Sequence, residues 1–527
     1  MDLIPFDVGV LSLELPYVVK ESFVEGDSSS LFYVARALMK VQSMYGVIPH
    51  IKGKGVPAQQ IATMMLKMRR EMQLGLTQTE PPAISEMILI DRLVDPITPM
   101  LTMLTYEGLV DEFFTVTNSA VELPAEMVVD PATTKDKPMT AAERAKKLKV
   151  PLNSNDAIFS DIRDLNFARV GPNLNEKARI IEEYYKKRHE AHTVPALKAY
   201  IGQFSDFQNR HKAVRIHTNI VKVLLNWTTD PAFHQQLEAE QTLLAEDGQV
   251  EATIAYIEEC INKQEPLVKV LRLLCLLSLC TGGLKEKLHA FFIQEIIQTY
   301  GFEYLFTLNH LGKMGFLRKQ GESKIGNWFA NVRRPMRLLV LDVNEKDPDD
   351  IAYTYSGYAP LSCRLVEYAR QSNLGALAAQ QQAVASSSSG MGGASGVGAS
   401  SIGAMGATGA QSKSRLADDN LREGWGLPSK LEDAVRSTPG PTFHVQQSFL
   451  SSTATPLDDF DGQPKADVTL VVFVGGITFA EISALRYLEQ KTLKAQKKLI
   501  ILTTSVINGN SFVESIFEEL VPKSEIV

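Results

Sequence analysis

Three places in this chain carry residue types that chemistry uses. Asp91, Arg92 and Asp95 follow the apolar run Ile88-Leu89-Ile90, so two carboxylates and a guanidinium gather where a buried strand ends. Two such acids suit a metal or an acid–base pair, yet no histidine sits at useful spacing and no further carboxylate motif adjoins them. The favoured reading is an Asp–Arg network pinning the strand end to the turn that Pro96 and Pro99 punctuate. Gly475-Gly476 follow the apolar run Val468–Val474 and precede Thr478 and Glu481, a T-x-x-E capping box that opens a helix. A helix N-terminus offers free N–H groups to a phosphate. The chain has neither G-x-x-x-x-G-K-[ST] nor a G-x-G-x-x-G after a strand, so a tight turn for close helix–strand packing is favoured. His189-Glu190-Ala191-His192 spaces its histidines three apart, not the four of H-E-x-x-H, and reads as a solvated helix end. No G-x-S-x-G elbow or other nucleophile–base set is legible. The balance falls on binding, with no cofactor or metal expected.

The elements around these residues alternate at both ends of the chain. Leu3–Phe6, Val10–Leu15 and Met87–Ile90 suit strands, while Ile61, Met64, Met65 and Met68 fall at helical spacing. That methionine stripe fits core packing, with an adaptable groove as the alternative. Tyr106, Leu109, Val110 and Phe113 mark a helix. Lys135–Lys149 is charged and is expected to begin as a surface loop. Helix-like stretches follow near 155–165, 174–191, 194–204, 211–226, 250–263, 266–280 and 284–299. At the far end, Val468–Val474, the capped helix and Lys498–Val506 make a βαβ unit. The expected fold is therefore α/β plus α: a parallel-sheet domain (1–118 and 356–527) interrupted by a large, mainly helical insertion (119–355). Residues 384–412 are Ser, Gly and Ala with almost no charge; they are expected to be a disordered, passive loop.

Composition narrows the function classes. In 527 residues the net charge is −7, which argues against general nucleic-acid affinity. The four cysteines form no CxxC or Cys/His spacing, which suits buried thiols in a reducing compartment. Leu271–Cys280 is the longest apolar stretch, short of the ~20 residues a membrane span needs. The N-terminus has no basic n-region. A cytoplasmic protein that reaches membranes through partners is expected.

The segment Ile88–Pro99, continued by Thr105-Tyr106-Glu107-Gly108-Leu109-Val110-Asp111-Glu112, closely resembles a signature of the SM family, the Sec/Munc-type chaperones of SNARE proteins. That signature is D-R-x-x-D-x-x-T-P followed by T-Y-x-G-L-x-D-E. A second match runs from Phe473 through Gly475, Gly476, Thr478 and Glu481 to Arg486 and resembles the family's F-x-G-G-[VI]-T-x-x-E-x-x-x-L-R. Tyr353-Thr354-Tyr355-Ser356-Gly357-Tyr358-Ala359-Pro360-Leu361-Ser362 is similar to the vacuolar-sorting branch, the SM subunit of the HOPS and CORVET endolysosomal tethers.

The resemblance covers nearly the whole chain outside the low-complexity segment. It implies a non-enzymatic clamp that binds SNARE helices and promotes their assembly for fusion at late endosomes and lysosomes. It also implies that an N-terminal α/β domain, on the order of 100–150 residues, is missing here. With that domain goes the syntaxin N-peptide mode seen in some members. The family grips SNAREs with a helical hairpin whose L-P-x-x-Q tip aligns with Gln203–Gln208. Phe204, Ser205, Phe207 and Gln208 are therefore the expected contacts, between helices of about 194–204 and 211–226. Core packing is the alternative for the two phenylalanines. Ser205 stands where many relatives have proline, which breaks a helix by about 3 kcal/mol or more, so the first helix should continue more readily through the tip. Tyr358 and Leu361, with Arg364 at the rim, are expected to meet the α-solenoid subunit of the tether; a buried domain joint is the other reading. Arg486 should brace the sheet domain by pairing with an acid such as those of the Asp91 cluster. The rival functions are a doubly wound nucleotide-binding enzyme using the Gly475-Gly476 turn, and a tether scaffold that binds no SNARE.

Overall fold

The computed structural model describes residues 3–72, 82–129, 140–190, 194–245, 250–322, 326–371, 421–447, 467–492 and 497–518. The Ser/Gly/Ala segment 384–412 lies outside them. Ten strands are present among the described residues: β1 Ile4–Asp7, β2 Val10–Ser12, β3 His50–Lys54, β4 Glu86–Asp91, β5 Ala120–Pro124, β6 Lys147–Pro151, β7 Leu421–Glu423, β8 Thr442–Gln446, β9 Asp467–Val474 and β10 Lys497–Thr503.

Eight of them make one sheet in the order β1-β2-β10-β9-β4-β3-β8-β7. The five central strands, β2 to β3, pair in parallel, while β1, β8 and β7 add antiparallel edges. The sheet thus draws strands from both ends of the chain, and its parallel centre explains why β4 and β9 read as unbroken apolar runs: both of their faces are covered. On one face Ile51, Met87, Leu89, Leu470 and Val472 pack against helices α1 (Ser29–Tyr45) and α2 (Val56–Glu71). Ile61 and Met65 of the methionine stripe are buried there, and Met64 and Met68 pack at its edge. The opposite face, with Ile88, Ile90, Val471 and Phe473, belongs to the larger core that the inserted helices complete.

After β4, helices α3 Tyr106–Phe114, α4 Ala157–Ile162, α5 Phe167–Glu190 and α6 Val194–Thr228 pack in a core of their own, while α7 Pro231–Leu244, α8 Val250–Asn262, α9 Leu267–Thr281, α10 Glu286–Tyr300, α11 Leu305–Lys313 and α12 Trp328–Arg333 complete the larger one. The chain then returns through α13 (361–371), α14 Ser429–Ser437, α15 Phe479–Thr492 and α16 Gly509–Glu514. The apolar run in α9 is a core helix, buried on all sides over Val270–Cys280. Its one buried cation, Arg272, is neutralised by Glu112 and also donates to Asn510 Oδ1 at 2.9 Å. No helix of the described residues is long and apolar enough to cross a membrane.

The structure departs from the sequence reading in three places. The stretches 194–204 and 211–226 are one 35-residue helix, α6. The charged stretch Lys135–Lys149, whose expected loop start lies partly outside the described residues, runs into β6, an unanticipated strand that pairs antiparallel with β5. Strands β3, β7 and β8 and helix α7 were not anticipated. In β3 the reason is chemical: Lys52 and Lys54 read as surface residues, yet both are buried. Lys52 pairs with Glu86 at 2.8 Å and donates to the Ala369 carbonyl at 2.6 Å. Lys54 donates to Gly440 O at 2.7 Å and Thr442 Oγ1 at 2.9 Å, and burial pulls its pKa down to about 7.

Candidate functional site

The strand-end signature folds into a closed hub. Arg92 is fully buried at the end of β4. Its Nη1 donates to both oxygens of Glu481, at 3.0 and 2.8 Å, while Nε and Nη2 donate to the Asp95 carbonyl at 3.1 and 2.5 Å. Asp95 accepts from Thr98 N at 3.1 Å, Thr98 Oγ1 at 2.6 Å and Ser362 N at 2.9 Å. Glu481 also takes a hydrogen bond from Ser362 Oγ and completes the capping box, accepting from Thr478 N at 2.9 Å while Thr478 Oγ1 accepts from Glu481 N at 3.2 Å. The end of β4 and the first turns of α13 and α15 therefore share one arginine. Burial opposes the charge on Arg92, but Glu481 and Asp95 hold it protonated. Every acid and donor in the hub is engaged within the chain, so its chemistry is cohesion.

Asp91 stands apart. It accepts from Leu93 N at 3.3 Å and from the Arg92 backbone, but burial outweighs these bonds and the Arg92 charge and pushes its carboxyl up to about 7. The two glycines owe their identity to packing. At φ +97° and +104° both lie in the left-handed region. A Cβ on Gly475 would meet Val19 Cγ2 at 2.6 Å and Arg92 Cβ at 2.8 Å, and one on Gly476 would meet Ile507 at 2.8 Å. Neither position can carry a side chain without displacing a neighbour, so close packing of the turn accounts for both glycines.

Arg486 braces the fold, though not through the Asp91 cluster as expected. It reaches Asp164 at 3.0 Å, Asp7 at 3.3 Å and Glu107 at 3.5 Å. The reason is helical rise: eight residues beyond the Thr478 cap place it about 12 Å along α15, away from the strand end. This brace ties β1, α3 and the turn before α5 to α15.

The expected partner face is likewise corrected. Tyr358, Leu361 and Arg364 are only 2%, 1% and 4% exposed. Tyr358 OH lies 3.4 Å from Thr98 Oγ1, and Arg364 binds both oxygens of Asp350, at 2.6 and 2.7 Å, and Glu367 at 2.8 Å. Dense aromatic and proline residues did mark an interface, but one inside the molecule, where the insertion meets the returning sheet. A different surface is apolar and open: Phe302 is 79% exposed, with Leu305 and Phe306 half exposed beside it. Their i, i+3, i+4 spacing was legible, but that pattern ordinarily marks a core face.

Helices α5 and α6, joined through 191–193, form the hairpin. Phe207 of α6 stacks on Tyr184 of α5, ring centroids 3.5 Å apart and nearly coplanar at 4°. The packing alternative therefore holds for Phe207. Gln208 is exposed. Phe204 and Ser205 lie within α6, and their side chains are outside those described. The aligned tip 203–208 thus lies inside α6. At the base, Tyr106 OH is 2.8 Å from His217 Nδ1, whose Nε2 is 3.2 Å from Asp156 Oδ2, a chain linking α3, α6 and the cap of α4. Sequence reasoning missed it, because its members lie 50 and 61 residues apart.

The profile of the Sec1 family matches residues 1–515. The chain belongs to the Sec1 family. Among its relatives, vacuolar protein sorting-associated protein 33A of Rattus norvegicus is 36% identical over 519 residues, 98% of this chain and 76% of that protein. The vacuolar protein-sorting-associated protein 33 homolog of Arabidopsis thaliana is 35% identical over 524 residues, again 98% and 76%. Solved structures share the fold: the Unc18–syntaxin 1 complex from Monosiga brevicollis at TM-score 0.57 and 15% identity, covering 98% of this chain and 76% of that one. Sly1p in complex with an N-terminal peptide of Sed5p gives 0.58 and 14%, covering 98% and 73%. The α/β-plus-α class read from the sequence is the Sec1-family fold.

Proposed function

We propose that this Sec1-family chain is the SM-type subunit of an endolysosomal tethering complex, of the HOPS or CORVET kind, that binds SNARE helices and promotes their assembly for membrane fusion. It acts as a binding protein without catalytic chemistry, peripheral on late-endosome and lysosome or vacuole membranes through its partners. The observation that carries the reading is the α5–α6 pair. Over 206–212 every residue of α6 is exposed except half-buried Phe207, and the aromatic contacts of this stretch go to Tyr184 and Tyr185 of α5. A stiff two-helix projection with free flanks is what helix-on-helix recognition requires. Whole-chain similarity to vacuolar sorting proteins supports the compartment.

The tether contact moves to the Phe302, Leu305 and Phe306 surface, an exposed apolar face fit for a helix of an α-solenoid subunit. The test is a pull-down of a vacuolar-type SNARE bundle and of the solenoid subunit on this chain. Gln208→Pro, which breaks α6 within its exposed stretch, should release the SNAREs alone, and Phe302→Asp the solenoid alone. Retention of the solenoid with no SNARE binding by the wild type would make the chain a scaffold and overturn the chaperone reading.

A further inference from the structure

Beside α6 runs a groove of about 570 Å³, bounded by β6, the start of α4 and the α6 face that carries Asn209, Lys212, Ala213 and Ile216. Its floor is apolar, built from Val150, Ile158, Ala213 and Ile216, and its rim is charged. Lys149 on β6 and Arg210 and Lys212 on α6 are all exposed. Two acids also line the groove, and they are not equivalent. Asp156 is already engaged: one oxygen accepts from Ile158 N at 2.9 Å and Phe159 N at 3.1 Å, and the other faces His217 Nε2 at 3.2 Å. Asp206 is exposed and stands against three cations. Lys149 has an acid, Glu122, at 3.8 Å, but both side chains are largely solvated, so the pair is weak. In a chain of net charge −7, three cations thus face two acids along this groove, and one of those acids, Asp156, is the cap of α4.

We infer that this groove selects an amphipathic α-helix with an apolar stripe flanked by acidic residues, and that Lys149, Arg210 and Lys212 set that preference. A concave apolar floor with a cationic rim matches the apolar face and charged shoulders of such a helix. A flat anionic membrane would reach the rim and leave the floor uncovered. Complementary charge of this kind governs encounter rate and partner choice more than raw affinity. The inference rests on the SNARE-binding reading for its cellular occupant, and adds the charge pattern that the bound helix must carry.

The test uses the full chain and two stapled helical peptides of about 20 residues, long enough to hold a helix. They share one leucine stripe and differ only in Glu or Lys flanks. In fluorescence anisotropy the Glu peptide should bind at least about tenfold more tightly than the Lys peptide, with the gap shrinking as salt rises. Lys149→Glu/Arg210→Glu/Lys212→Glu should invert the order. All three positions are exposed, so the fold is spared, and the gain of the Lys peptide reports a folded groove. An order that the triple substitution leaves unchanged overturns the inference, as does failure of both peptides to bind. Loss of phosphatidylserine-vesicle binding with an unchanged peptide order assigns the cations to a membrane and also overturns it. The SNARE bundle is run in parallel. If it binds wild type and triple variant alike, the charge rule fails while the SNARE reading stands. If the peptides invert but no bundle binds, the groove rule stands and the SNARE reading fails.

Discussion

Arg92 offers the sharpest energetic test, because two remote segments meet on one buried guanidinium. Arg92→Met would strand Glu481 and Asp95 without their cation, and Glu481→Gln would leave Arg92 with the carboxylate of Asp95 at 3.5 Å as its only anion. Breaking a buried pair from one side costs about 3–5 kcal/mol, since the remaining charge keeps its desolvation penalty. The double substitution removes both charges, so it should be no worse than the harsher single change. The implied coupling is at least the cost of the milder single change, about 3 kcal/mol or more. Urea unfolding followed by tryptophan fluorescence reads this directly, because Trp425 Nε1 donates to Phe443 O at 3.2 Å on the sheet. At a slope of about 3 kcal/mol per molar urea, each single variant should shift its midpoint down by about 1–1.5 M. Losses under about 1 kcal/mol, or a double variant equal to the sum of its singles, would refute the hub as a coupled unit.

Further outcomes follow from the same geometry. Gly475→Ala should destabilise by about 3 kcal/mol through its positive φ and the contact with Val19; a thermal shift that Val19→Ala partly restores would separate crowding from backbone strain. Asp91 titrates at about 7 in the folded chain and near 3.9 unfolded, so between those values the native state alone holds the proton. Its contribution therefore falls as pH rises from about 4 to 7 and is flat above. Asp91→Asn should gain on the wild type by up to a few kcal/mol between pH 5 and 8, and parallel stability curves for the two proteins would contradict this. Ser205→Pro inserts a helix breaker inside continuous α6, costing about 3 kcal/mol locally. Hydrogen exchange over 201–210 should accelerate, and unchanged protection would show that the helix does not persist there in solution.

What could be read in advance followed a physical rule. Strands β4, β9 and β10 and the Thr478–Glu481 box announce themselves locally, through apolar runs bounded by turns and caps. Strand β3 did not, because the partners that license its buried lysines are Glu86, Ala369 and Gly440, and nothing near residue 52 names them. The site residues divide the same way. That Asp91, Arg92 and Asp95 form a network was visible, but that Glu481 is its counter-ion depends on pairing β4 with β9. Tyr358 and Phe302 show the remaining ambiguity. Both belong to aromatic-rich stretches, and only packing decides which one faces inward and which faces water.

The strand order also has a temporal side. β9 and β10 lie between the β1–β2 hairpin and the β4–β3 pair, so these two N-terminal pairs join one sheet only through them. About 375 residues separate Asp91 from Asp467. At about 5–20 residues per second a ribosome needs roughly 20–75 s to traverse them. Throughout that interval the edges of β2 and β4 that await β10 and β9 stay open, which makes the nascent chain a client for whatever shields β-edges during synthesis. Any truncation before residue 467 leaves the sheet without its middle.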